Sequence, residues 1–165
     1  MKSPSPSVPR SDQRILHTLT FQLLVAVNHI TRPFPDLFGR RLDLKLAEWR
    51  CLMALAAEPE SSGEDVSRLM GMDKMTVSRS LRRQEQLGRV EKSADPTNRR
   101  RNRWVLTEAG WAVFETIIPS ALARDRAAFG DLDDTDRAII ERVLARFIAA
   151  CTDPDRHKTG SGYPP

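Results

Sequence analysis

From Ser11 onward apolar residues return every three or four positions (Ile15, Leu16, Leu19, Leu23, Ala26, Val27 and Ile30), which predicts an amphipathic helix. The pattern breaks at Arg32-Pro33-Phe34-Pro35, because proline disfavours helix in the residue before it. A short helical piece over 36–41 and a helix over 43–57 follow. Residues 62–107 are punctuated differently. Ser62 stands three before Asp65, the spacing of a capping box, and Gly71 is placed to stop the helix so begun. Asp73 can then cap a second helix whose Val77 and Leu81 lie four apart on one inward face. Two helices joined by a short Gly-containing turn predict a helix-turn-helix. Two strands follow, joined by a tip rich in the turn residues Asp95-Pro96-Thr97-Asn98.

Thr107 is the expected cap of a long helix to about Phe129 carrying Trp111, Phe114, Ile117, Ile118 and Leu122. Pro119 should kink or interrupt it. Asp133, with Asp136 at the capping-box spacing, should start a last helix striped by Ile139, Ile140, Val143, Leu144 and Phe147. The expected fold is mainly α with a small β-hairpin wing (α+β), a winged helix-turn-helix joined to an outer helical region. Its parts are a disordered arm over 1–10, outer helical segments over 11–42 and 108–151, the winged helix-turn-helix lobe over 43–107, and a disordered tail over 152–165.

Charge sharpens this picture. Residues 73–103 hold ten Lys/Arg against four acids, a net +6, whereas the whole chain of 165 residues is +4, so everything else sums to −2. Positive charge gathered on one helix–hairpin unit is the footprint of a polyanion-binding surface. On the second helix Lys74, Met75, Thr76, Ser78, Arg79, Arg82 and Arg83 lie off the inward face. Short hydroxyls early and arginines later suit a helix entering the DNA major groove by its N-terminus. An ordinary solvated amphipathic helix would carry a similar pattern. The tip decides between the two: Arg99, Arg100 and Arg101 serve no core and offer little stability as exposed charges, but they suit a phosphate-lined minor groove.

At these residues a resemblance becomes specific. The run from Leu44 to about Pro119 resembles the MarR family of bacterial winged-helix transcription regulators. LKLAEWRCLMAL matches the helix ahead of the DNA-binding unit, EDVSRLMGMDKMTVSRSLRRQEQLGRV the helix-turn-helix, and DPTNRRRNRWVLTEAG the wing, strand and next helix start. The family's wing pattern reads here as Asn98-Arg99-Arg100, then Trp104, then Leu106-Thr107. The resemblance gives Arg100 the minor-groove role, with Asn98 in place of the acid that usually orients it. Asn accepts a hydrogen bond from Arg without charge assistance. Gln84 stands where the family usually carries a core Leu, and Leu87 is expected to fill part of that space. Lys45 stands where Thr usually caps the next helix, which leaves Asp43 as the expected cap.

The first helix and the last two are too apolar for one lobe to bury, and MarR-like proteins dimerise through these elements. The expectation is an isologous homodimer on a palindromic operator, with recognition helices one DNA turn, about 34 Å, apart. A monomer with its terminal helices folded back over the lobe is the alternative. The resemblance also implies a small aromatic carboxylate or phenolic effector bound between dimer helices and winged lobe. His29 and Arg32, three apart, and Trp49 and Met53, four apart, are the candidate lining: two cationic groups over an apolar, aromatic floor. Taken singly, Arg32 reads better as solvated before Pro33 and Trp49 as core; it is the set of four that favours a pocket.

Rival classes find less support. His17, His29 and His157 are too dispersed for a zinc site, and no phosphate loop, nucleophile elbow or paired-carboxylate motif is present, so neither enzymatic activity nor a metal or cofactor is expected. A ligand-independent architectural DNA-binding protein remains open, as does a redox-responsive regulator using Cys51 or Cys151, although Cys51 sits among apolar neighbours as an inert thiol would. With no apolar run of transmembrane length and a polar, Pro/Ser-rich start, a cytoplasmic location without membrane contact is expected. Promoter blockage makes repression the default.

Overall fold

Local hydrogen bonding at a few side chains decides where each helix begins. The computed structural model describes residues 10–94 and 102–152, and the chain divides into two compact units between Trp49 and Arg50. In the first unit the expected helix from Ser11 is divided. Residues Arg10–His17 form a tight 3-10 turn and α1 spans Leu19–Thr31. The cause is Thr18, whose hydroxyl donates to the Ile15 carbonyl at 2.8 Å and accepts from the Phe21 amide at 3.2 Å, a local alternative to continuing the helix. A wide π turn over Pro35–Gly39 leads into the single turn α2 (Arg40–Leu42), near the predicted piece. Phe34, between the two prolines, is buried and packs against Phe38 and Trp49, with ring centroids 5.6 and 6.4 Å away.

Asp43 is not the cap it was expected to be. It adopts a left-handed conformation (φ 46°), and α3 starts later, at Leu46–Ala57. The carbonyl of Lys45 accepts the first helical bond, from Trp49, so Lys45 occupies the cap position with a side chain that cannot accept. Glu48 compensates by reaching back to the Lys45 amide at 2.8 Å.

The second unit continues α3 and adds β1 (Ser61–Ser62), α4 (Gly63–Met70), α5 (Lys74–Gln86), β2 (Val90–Ala94), β3 (Asn102–Leu106), α6 (Glu108–Phe129) and α7 (Asp134–Thr152). The fold is therefore mainly helical with a small antiparallel sheet of order β1-β3-β2. Its central strand pairs Ser61 with Trp104 on one side and runs from Val90–Leu106 to Ala94–Asn102 on the other. The two-residue β1 was not expected: it is too short for an alternation to register.

Leu52, Leu55, Val66, Val77, Leu81, Val90 and Ile117 are all at most 2% exposed and form the core of this unit with Cys51, Trp104 and Leu106. Burying one such aliphatic side chain contributes about 1.5–3 kcal/mol. The predicted caps act here. Ser62 and Asp65 form the reciprocal box, Gly71 closes α4 at φ 61°, and Thr107 accepts from the Gly110 amide. Asp133 likewise accepts from the Asp136 amide. Pro119 does not interrupt α6, which runs through it despite the donor missing for Glu115. No residue of α1 or α7 is buried.

Candidate nucleic-acid interface

The exposed side of the α4–α5 unit is assembled by its own helix chemistry. On α5, Val77, Ser80, Leu81 and Gln84 recur at three- and four-residue steps and are buried, so the groove-facing candidates are turned outward. Lys74, Met75, Arg79 and Arg82 are exposed, and Thr76, Ser78 and Arg83 are half-buried. Asp73 fixes the start, its carboxylate accepting from the Thr76 amide at 2.8 Å, and hydrogen bonding from Thr76 holds its pKa below the ordinary carboxylate value. Asp65 is shifted the same way, first by the Ser62 hydroxyl and then, against some desolvation, by the Ser62 amide and Arg68.

Leu87 is 40% exposed and does not fill the space at Gln84; the glutamine itself is fully buried there. Leu87 follows the last residue of α5, where the chain turns outward towards Gly88 (φ 67°). Arg89 Nη1 donates to Gln84 Oε1 at 3.3 Å, and Gln84 Nε2 has no hydrogen-bond partner.

Between this helix pair and the sheet lies a cleft of about 390 Å³. Lys74, Ser78 and Arg82 of α5 line it, with Glu64 from α4 and Lys92 and Trp104 from the hairpin. Lys74 Nζ pairs with Glu64 Oε1 at 2.7 Å. Lys92 Nζ pairs with Glu85 at 3.0 Å and stands 5.6 Å from the Trp104 ring centroid, which ties the hairpin base to α5. Neither Glu64 nor Lys92 stood out in the sequence as a site residue. Lys92 contributed to the charge count, but only the strand register puts it beside Trp104.

Asn98, Arg99, Arg100 and Arg101 lie outside the described residues, in the stretch between β2 and β3. Elsewhere, His29 and Arg32 are exposed at the end of α1 in the first unit. Trp49 is 6% exposed in the same unit, stacked on Phe34, and Met53 is half-buried in the second unit. Cys51 is buried and Cys151 exposed.

Residues 42–101, which hold the helix-turn-helix and the strand after it, match the model of the MarR family. Over that stretch, about a third of the chain, the protein is similar to the MarR family of transcriptional regulators. The MarR-like winged helix is shared with solved structures. Bordetella bronchiseptica BpsR, whose DNA binding is regulated by 6-hydroxynicotinic acid, is 26% identical with a TM-score of 0.65, covering 78% of this chain and 97% of its own. NadR in complex with 4-hydroxyphenylacetate is 18% identical with a TM-score of 0.72 over 90% of this chain and 98% of its own. PcaV of Streptomyces coelicolor, in complex with its natural ligand, is 20% identical with a TM-score of 0.61 over 92% and 99%. At those identities the last two speak for the fold. No curated protein matches the chain. Among the described residues no helix is long and apolar enough to cross a membrane.

Proposed function

We propose that this chain is a MarR-family transcriptional regulator, acting in the cytoplasm as a homodimeric repressor of a palindromic operator and released by a small aromatic carboxylate or phenol. The observation that carries the DNA reading is the outward face of α5. Lys74, Thr76, Ser78, Arg79, Arg82 and Arg83 stand off its buried stripe, with Met75 61% exposed at the first turn. Lys74 and Thr76 suit phosphate contacts, Ser78 and Arg79 base edges, and Arg82 and Arg83 the backbone beyond. Asn98, Arg99, Arg100 and Arg101 are assigned to the minor groove by sequence alone.

The dimer is supported by the apolar, unburied faces of α1 and α7. For the effector, support comes from BpsR and NadR, which respond to or bind hydroxylated aromatic acids. His29 and Arg32 would hold the carboxylate, with Trp49 and Met53 as the apolar floor. Filling a site between dimer helices and lobe would shift the spacing of the two recognition helices only by the ligand's differential affinity for the two arrangements. Operator DNA must then weaken ligand binding by the same factor. A thiol switch finds less support, since Cys51 is fully buried.

Salt titration of DNA binding tests the interface. With about eight phosphates engaged per dimer, log affinity should fall against log salt with a slope near −7. A flat dependence would sink the reading. A thermal-shift screen of hydroxylated aromatic acids tests the effector: ligand should raise the melting temperature, and Arg32→Ala should keep DNA affinity while losing the response.

A further inference from the structure

One carboxylate lies within the basic cleft beside the recognition helix. Glu64 sits in the first turn of α4, where a negative charge is favoured by the helix N-terminus. It lines the cleft together with Lys74, Arg82 and Lys92. Its Oε1 lies 2.7 Å from Lys74 Nζ, and the two side chains remain 48% and 74% exposed, so the pair faces water rather than core. An exposed pair of this kind contributes little to folding. Its position, on the first residue of α5, is where charge matters for an incoming polyanion.

We propose that Glu64 is a specificity-determining residue: it acts as an internal competitor for phosphate at Lys74, so that loosely docked DNA cannot use that cation. The inference rests on α5 being the DNA-reading helix. A phosphate approaching Lys74 meets the carboxylate as a like charge and competes with it for the ammonium's donors. On a matched site, base contacts along α5 hold the backbone in one register, in which a phosphate takes the Lys74 donors that Glu64 leaves open. On unmatched DNA the phosphates take no fixed register, and more of the bound positions bring one against Glu64. Glu64 therefore lowers nonspecific binding more than operator binding, and so raises the ratio on which site selection depends.

The test uses the full chain, a duplex enriched from a random library by the wild-type protein, and a shuffled duplex of equal length. Glu64→Gln keeps the size and removes the charge. It should tighten binding to the shuffled duplex about two- to fivefold, in line with one exposed charge pair. It should also steepen the salt slope by about one, as one more phosphate is neutralised. The gain on the enriched duplex should be smaller, and in a Lys74→Met background the gain on shuffled DNA should disappear. Unchanged or weaker binding of Glu64→Gln to shuffled DNA overturns the inference, as does a full gain that persists without Lys74. Wild-type protein that binds neither duplex removes the DNA reading and this inference together; wild type that binds both, with no gain in Glu64→Gln, removes the inference alone.

Discussion

Two sets of helices in this chain carry apolar stripes, and only one set covers them. In the lobe, α3, α4 and α5 close over Leu52, Leu55, Val66, Val77 and Leu81, all at most 1% exposed. In α7 the equivalent stripe stays open: Ile140 is 36% exposed, Val143 50% and Phe147 39%. Helices α4, α5 and α7 all carry accepting caps, so capping does not distinguish the two sets. A capped helix takes most of its stability from the face it buries, and the exposed stripe of α7 asks for a partner surface.

The sharpest way to break this contrast is a matched pair of substitutions. Leu52→Ala removes a fully buried side chain and should cost about 2–5 kcal/mol in urea unfolding. Leu144→Asp, on the open stripe of α7, should leave the lobe's own unfolding within about 0.5 kcal/mol. It should instead abolish the concentration dependence of the melting temperature that a dimer confers. Equal losses for the two at every protein concentration would mean that α7 packs within its own chain.

Next in size is Gly110, at the joint between hairpin and α6. A Cβ there would run into the carbonyl oxygen of Arg89 and lie 3.2 Å from Leu106 Cδ2. Gly110→Ala should cost about 1–3 kcal/mol through overpacking, with DNA affinity falling beyond the loss of folded protein because the hairpin base moves. Gly71 is glycine for another reason, its φ of 61°, and a Cβ there meets nothing within 4 Å. Gly71→Ala should cost about 1 kcal/mol and leave DNA affinity alone. Equal DNA losses for the two variants would show that the joint has no special role.

Gln84 sharpens the contrast from inside the lobe. Its Nε2 is buried without a partner, and its Oε1 takes one long bond, 3.3 Å, from Arg89. Leaving a buried donor unmade costs more than the weak bond returns, so Gln84→Leu should raise stability by about 1 kcal/mol. Lower stability would show that the Arg89 contact outweighs the orphaned amide.

How much of this was legible follows from how local each signal is. Ser62, Asp65, Gly71, Asp73 and Thr107 act within five residues of chain, and each cap formed where its spacing placed it. Where two local signals compete, the sequence misleads: Thr18 splits an unbroken apolar pattern, and Asp43 gives way to the bond between Glu48 and Lys45. Contacts between distant residues were not legible. The Glu64–Lys74 pair depends on the angle between two helices, and Lys92 beside Trp104 on strand register. The burial of Gln84 in place of Leu87 turned on where α5 ends, which is a matter of one turn.

The smallest effect concerns acid, and it separates the two jobs of Ser62. Its hydroxyl accepts from the Asp65 amide and donates to the Asp65 carboxylate at 2.6 Å, and the second contact is the largest reason the Asp65 pKa lies below its ordinary value. A carboxyl whose folded pKa is lowered binds fewer protons folded than unfolded. Its contribution is therefore complete above the unfolded value near 3.9 and is lost as pH falls through the folded one. Asp73 is shifted the same way and adds to the same limb. Ser62→Ala should cost about 1 kcal/mol at neutral pH as a lost cap. Below pH 4 the gap to wild type should narrow, because the variant's Asp65 has less of a charge-dependent contribution to lose. Urea midpoints at several pH values decide it: a gap that stays constant into acid would mean that Ser62 works only through the backbone amide, and that the charge of Asp65 does not depend on it.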